Sequence, residues 1–367
     1  MNNFELPTPD GNDVWHRIAA EKRPILIYGM GNGADKLLAE FAEYNIEYAD
    51  FFASDGFVRG HSFHGKRVLS FSEAVNKYDD FAIVVSFASN RDEVIERIAK
   101  LSNEYTVYIP DMPVVGEDYF TAEFYREKYN DAKYAQTLFS DVRSKKVFSD
   151  IVNFKLTGDY KYLANSSDSK ESVFSLMSVD KVKYYTDAGA YNGDTVREIL
   201  DLGAKLEKAV AIEPDAKTYR RLIKYAERES RVNVECVPAA LCDKVGGGFF
   251  FSSGNRNSSM SNFSYEHKEE YVRTDTIDNI LCNFDRMDYI KYDVEGVEKE
   301  ALIGSLNTIE RLNPMLSVSA YHRSEDIFSL IVLLKNICPN YNFYLRKFKC
   351  FPAWEVNIIA IPRNKNL

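Results

Sequence analysis

Cysteine is scarce in this chain of 367 residues: Cys236, Cys242, Cys282, Cys338 and Cys350 are odd in number, widely spaced and without a C-x-x-C pair. Nothing there points to zinc or dithiol redox chemistry, and the expected state is reduced, mostly buried thiol. No apolar run approaches the roughly 20 residues needed to span a bilayer, so no membrane partner is expected. Basic charge is also short, with 46 Lys and Arg against 55 Asp and Glu, a net charge of -9 and no basic stripe. Nucleic acid is excluded as a partner on that ground, because phosphate contacts need clustered cations. The start, Met1 to Pro7, has neither the basic nor the apolar region of a signal peptide, so the expected compartment is the cytoplasm and the N-x-S triplets at Asn165, Asn257 and Asn262 are incidental. Among the few histidines, His61 and His64 lie three apart, but nothing nearby completes a ligand set; they read as solvent-exposed, and no metal is expected.

Aromatics, by contrast, reach 14%, with 24 Tyr and 24 Phe. They suit an aromatic-rich core better than a sugar-binding cleft. The length suggests two α/β units: a smaller Rossmann-like domain over 1–112, a helical connector over 113–180, and a larger doubly wound sheet over 181–367 that ends in an antiparallel strand pair. In the first unit, Ile25 to Tyr28, Tyr48 to Ala53, Ile83 to Ser86 and Val107 to Ile109 read as strands alternating with helices, the pattern of a parallel sheet. Gly29-x-Gly31-x-x-Ala34, with Asp55 after the second strand, comes close to a nucleotide fingerprint. It marks either a site for a nucleotide or nucleotide-linked sugar, or a βα turn that favours glycine for its own geometry. The periodic stretch from Asp118 to Phe154 predicts helices that bridge the units and lid the second site.

The densest motif is Tyr185-Thr186-Asp187-Ala188-Gly189-Ala190-Tyr191-Asn192-Gly193-Asp194-Thr195, with Ala211-Ile212-Glu213-Pro214-Asp215 about twenty residues on. It reads as strand, glycine turn, helix, second strand and acidic ribose ligand. A turn that cradles a pyrophosphate gains nothing from the carboxylate of Asp187, whereas a cationic cofactor does. The D-x-G-x-x-x-G turn with Glu213 is the pattern of class I methyltransferases, whose donor, S-adenosylmethionine (SAM), carries a sulfonium and an ammonium but no phosphate. Cofactor contacts are expected from Asp187, Gly189, Ala190, Asn192, Gly193, Asp194, Thr195, Glu213, Pro214 and Asp293. Asp215 is better placed as a helix N-cap.

Downstream, Met287-Asp288-Tyr289-Ile290-Lys291-Tyr292-Asp293-Val294-Glu295-Gly296-Val297-Glu298 and Ser317-Val318-Ser319-Ala320-Tyr321-His322-Arg323 follow in order. With the glycine turn and the Ala211 to Asp215 segment, they resemble the FkbM family of methyltransferases over roughly Val182 to Pro362. The resemblance implies SAM as cofactor, methyl transfer as activity, and a carbohydrate or nucleotide-linked sugar as acceptor; the oligomeric state stays open. It places Asp293 at the cofactor's positive end or at the acceptor, and Glu295 or Lys291 at the acceptor. His322 would be a candidate base, since a neutral imidazole suits proton abstraction from a hydroxyl. Glu298 reads only as an acid at a helix start. Ala240 to Asp243 would flank adenine, and Ser252 to Ser264 would form a loop near the acceptor. Glu171-Ser172-Val173-Phe174 matches poorly the element that the resemblance would place against SAM, and Trp354 to Ile358 gives a last strand with an altered lead-in. Two other readings are a nucleotide-sugar or NAD(P)-dependent enzyme working from Gly29 to Ala34, and a non-catalytic binding protein.

Overall fold

A computed structural model describes residues 4–9, 11–58, 60, 62–116, 118–246, 248–252 and 269–363. His61 and the predicted acceptor loop beyond Ser252 lie outside those residues. Two parallel sheets organise the rest. The N-terminal one has five strands in the order Leu69–Ser70, Asp50–Ala53, Ile25–Tyr28, Ala82–Val85, Thr106–Tyr108. The three central strands are apolar or aromatic at almost every position and buried along their whole length, as strands covered by helices on both faces must be. Gly29 ends the Ile25–Tyr28 strand at a φ of +114°, and a Cβ there would sit 2.7 Å from the Phe87 ring. Glycine at this position therefore serves a close packing contact as well as the turn. Asp55 accepts from the N–H and hydroxyl of Ser72, and His64 pairs with Asp35 at the surface.

The C-terminal sheet has seven strands, in the order Asn233–Val237, Lys208–Ile212, Tyr184–Ala188, Tyr289–Tyr292, Met315–Ser319, Val356–Pro362, Tyr341–Lys347. Val356–Pro362 alone runs against its neighbours. Chain direction through the sheet reverses between Tyr184–Ala188 and Tyr289–Tyr292, and the crevice at the carboxyl ends of such a pair is where ligands bind in open α/β sheets. Register sets Asp187 directly beside Lys291.

The connector takes two positions. Helix Ala122–Leu138 packs on Asp326–Ile337, with Phe124 against Phe328. Helix Val142–Thr157 backs the Tyr341–Lys347 strand, where Leu345 donates to Ser144 Oγ and Arg346 pairs with Asp141. Both helices thus cover the outside of the sheet and contribute no residue to the cavity described below, whereas Lys170, Val173 and Phe174 of the later connector helix Lys170–Leu176 do. A single apolar cluster runs through both sheets and these helices, joining Leu26, Ile83, Tyr125, Phe148, Ile290 and Ile358. Phe41, Phe52, Phe120, Tyr185 and Tyr292 are among its own and its neighbours' fully buried rings, so the aromatics mainly build core.

Candidate active site

A cavity of about 540 Å³ opens at the reversal point of the larger sheet, within the usual size of a small-molecule site. Gly189, at the end of the Tyr184–Ala188 strand, has a φ of +90°, and a Cβ there would lie 1.9 Å from the backbone oxygen of Asp293. Only glycine lets these two strand ends meet. Asp187, beneath the turn, is fully buried, and neither carboxylate oxygen has a hydrogen-bond partner among the described residues. The Lys291 ammonium stands 3.8 Å away, but burial dominates and pushes the Asp187 pKa up to about 7. A buried carboxylate without hydrogen bonds is costly, and from beneath the turn its charge favours a cationic ligand in the cavity above.

Glu213 follows the Lys208–Ile212 strand. Its Oε1 accepts from Asp215 N–H at 2.9 Å and its Oε2 from Tyr191 N–H at 2.9 Å, and burial raises its pKa to about 7. The carboxylate is thereby fixed on the cavity wall with lone pairs to spare for vicinal hydroxyls. Asp215 caps the next helix by accepting from Thr218 N–H, as expected. Of the predicted cofactor residues, Gly189, Asp194, Thr195, Glu213, Pro214 and Asp293 line the cavity. Asp187, Ala190, Asn192 and Gly193 do not. Asp187 and Ala190 are buried on either side of Gly189, and past the left-handed Tyr191, Gly193 abuts the Tyr225 ring and Asn192 faces a separate hollow beside Arg197. Ala240 and Leu241 line the wall where adenine was expected, and Val173 and Phe174, the poorly matching element, line it too.

Past the Tyr289–Tyr292 strand lies a compact charge cluster. Lys291 Nζ bonds Asp293 Oδ2 at 2.9 Å, and Tyr321 donates to Asp293 Oδ1 at 3.3 Å. Burial alone would raise the Asp293 pKa, but Lys291 and His322 outweigh it and hold the carboxyl down at about 2. His322 sits below Asp293 and Glu295, completely buried and outside the cavity lining. Its Nδ1 is 2.9 Å from Glu298 Oε1, and its Nε2 is 3.5 Å from Glu295 Oε2 and 3.7 Å from Asp293 Oδ1. Burial lowers the imidazole's pKa, but the three carboxylates prevail and lift it to about 10. His322 is therefore an imidazolium at neutral pH. That charge state and its place outside the cavity lining argue against His322 as the base, since a ring that already carries both protons cannot accept another.

Glu298 starts a helix, as expected, and does more. It is buried, pairs with His322 and accepts from Val294 N–H at 3.0 Å. Glu295 lines the cavity from a left-handed backbone with a φ of +55°, a conformation that costs a non-glycine residue energy and clusters at functional sites. Burial raises its pKa to about 7 despite the facing imidazolium. Asp293, Glu298 and His322 each place one ligand atom within 4.8 Å of the others, a spacing that suits a divalent ion; as it stands, the histidine compensates the acids itself.

The remaining wall is unforeseen. Ala88, Ser89 and Asn90 of the N-terminal sheet line the cavity together with Cys350, Trp354 and Glu355 from the loop between the last two strands. Ser89 and Phe351 exchange backbone hydrogen bonds of 2.9 and 3.0 Å across the seam. Nearby, buried Asp111 pairs with buried Lys155 and accepts from Ala353 N–H at 3.2 Å.

Residues 187–345 match the methyltransferase FkbM domain. The chain is similar in fold to the crystal structure of Methyltransferase FkbM from Methylobacillus flagellatus KT, at 19% identity over 97% of this chain and 94% of that one, with a TM-score of 0.66. Weaker likenesses include Aeropyrum pernix fibrillarin crystallised with S-adenosyl-L-methionine (10% identity, 50% of this chain and 68% of that one, TM-score 0.32). An rRNA methylase from Streptococcus thermophilus is comparable (12%, 52% and 93%, TM-score 0.34). No curated protein matches the sequence. A buried, unsatisfied Asp187 under a glycine turn and a Glu213 fixed on the wall suit the donor that this domain uses, and the chain is accordingly a SAM-dependent methyltransferase carrying a domain of the FkbM family.

Proposed function

We propose that the protein methylates a carbohydrate hydroxyl, with Glu295 as the general base and His322 as the fixed cation that positions it. SAM, when bound, supplies an electrophilic methyl on a sulfonium. Asp187 and Glu213 would hold its amino and ribose portions, and Asp293, kept ionised by Lys291, would face its positive charge. The chain's further task is to hold an acceptor oxygen in place, which alone supplies on the order of 7 to 11 kcal/mol.

The observation that carries the reading is Glu295: a cavity-lining carboxylate, raised to about 7, with an imidazolium 3.5 Å behind it. A base whose pKa lies near the working pH contributes roughly 10² to 10⁴ in rate. Because His322 is already protonated, the hydroxyl proton stays on Glu295 until it passes to solvent.

Labelled methyl transfer from SAM to a panel of methyl glycosides, with SAM affinity followed by calorimetry, tests this. Glu295→Gln is expected to lower kcat by 10² to 10⁴ while leaving SAM affinity within about threefold. A variant that keeps more than half of the wild-type kcat would remove Glu295 from the role, and a product methylated on nitrogen would reassign the acceptor atom.

A further inference from the structure

The wall shared by the two sheets has a composition of its own. The Ser89 to Phe351 bridge pins the loop after the Ala82–Val85 strand against the 348–355 loop, and the Phe87 and Phe351 rings meet edge to face at 5.6 Å. Phe87 also fills the space over Gly29. The carboxyl ends of the N-terminal sheet thus hold a loop of the methyltransferase half at the place where a nucleotide would otherwise lie.

What this seam presents to the cavity is aromatic and acidic. Trp354 lines it, with an indole N–H that is buried and without a partner among the described residues. Glu355 lines it from a left-handed backbone (φ +59°) and has no ion-pair partner within 4.0 Å among the described residues. Burial raises its pKa; when ionised it adds to the negative charge of Asp293 and of ionised Glu295. The two lining ammonium groups are committed, Lys291 to Asp293 and Asp187, and Lys170 to Glu198. Among the described residues no arginine lines the cavity. A phosphate brought here would meet like charge, and among the described residues no free cation or bidentate donor lines the cavity to receive it. A sugar ring finds an indole to pack against and carboxylate acceptors for its hydroxyls.

We infer that Trp354, Glu355 and Asn90 form the acceptor subsite, and that it takes an uncharged or amine-bearing carbohydrate without phosphate, so that nucleotide-linked sugars are not substrates. The inference rests on the methyltransferase reading for the cavity's function, but its charge selectivity can be read without turnover.

Trp354 and Trp15 are the only two tryptophans, and Trp15 is sealed in the N-terminal core at 1% exposure. Collisional quenching of intrinsic fluorescence therefore reports on Trp354, with Trp354→Phe assigning the signal. Quenching by caesium should exceed quenching by iodide at least threefold at equal ionic strength, with neutral acrylamide giving the accessible reference. Methyl glycosides and a free amino sugar should perturb the signal in the presence of S-adenosylhomocysteine, and UDP-sugars should fail to do so at tenfold higher concentration. In the transfer assay, Trp354→Ala should raise the acceptor KM at least tenfold while calorimetric SAM affinity stays within threefold. Iodide quenching equal to or above caesium, saturable binding of a UDP-sugar, or an unchanged acceptor KM in Trp354→Ala would overturn the inference. Loss of SAM binding by the wild-type protein would instead strike at the methyltransferase reading, and the quenching ratio would still stand or fall by itself.

Discussion

Glu298→Gln removes one negative charge from the deepest layer of the site while keeping an oxygen that can accept from His322 Nδ1. Unit charges 2.9 Å apart interact by about 6 kcal/mol at an effective dielectric constant of 20. That figure is an upper bound; a third of it, about 2 kcal/mol, already lowers the His322 pKa by about 1.5 units. From about 10, that leaves His322 an imidazolium at pH 7, still 3.5 Å from Glu295 Oε2, while the Glu298 charge that helps to raise the Glu295 pKa is gone, so that this pKa falls from about 7. Glu295 is active as a base only when ionised, so kcat/KM rises with pH through its pKa. The acid limb of the profile is expected near pH 7 in the wild type and at lower pH in Glu298→Gln. At pH 6 the variant should be the faster enzyme, and by pH 8 the two should agree, with unchanged SAM affinity. A limb that stays at pH 7 would sever Glu298 from the chemistry. A limb that moves to higher pH, with lower activity at pH 7, would show that His322 has lost its proton and would refute the charge states on which the assignment of Glu295 rests.

Three more outcomes follow from buried charge. Asp187, Glu213 and Glu295 have folded-state pKa values raised to about 7, so the folded protein binds more protons than the unfolded chain between about pH 4 and 7, and these groups lose stability as pH rises through that window. His322, raised to about 10, holds its contribution below pH 6.5 and loses it toward pH 10; the melting temperature of the ligand-free protein should therefore fall steadily from pH 5.5 to 8.5, and a rise over that range would contradict the charge states. Asp187→Asn removes a buried carboxylate that has no hydrogen-bond partner among the described residues and only a 3.8 Å ion pair with Lys291, which keeps Asp293, so it should leave the ligand-free melting temperature equal or higher while weakening SAM binding at least tenfold by calorimetry; unchanged affinity would dissociate Asp187 from the cofactor. Asp111→Ala strands the buried Lys155 ammonium and should cost about 3 to 5 kcal/mol in urea unfolding, whereas a loss under 1 kcal/mol would show that water or another group takes over the pairing.

Legibility in the sequence divides along contact range. The strands, the glycine turn, Glu213 and the Asp215 cap are written within windows of a few residues, where burial period and turn chemistry act locally, and the order of the sheet follows from βαβ handedness. The helix-start reading of Glu298 holds but is incomplete, because its partner His322 lies 24 positions away and the local rule for acids at helix starts gives an adequate reason for the residue. His322 was read as neutral because its usual pKa is near neutrality; three surrounding carboxylates set its charge, and only the fold brings them together. The seam was invisible for the same reason: Ser89 and Phe351 are separated by most of the chain, and neither sits in a motif.

The apolar cluster common to both sheets bears on how this protein can be divided. A cut near residue 180 would not release a self-contained catalytic half. It would strip the cover from the Asp326–Ile337 helix and the Tyr341–Lys347 strand, which the Ala122–Leu138 and Val142–Thr157 helices bury, and would leave an exposed face prone to aggregation. Chimaeras that exchange the first 180 residues would have to carry the matching faces of that helix and strand, and the 348–355 loop, along with them.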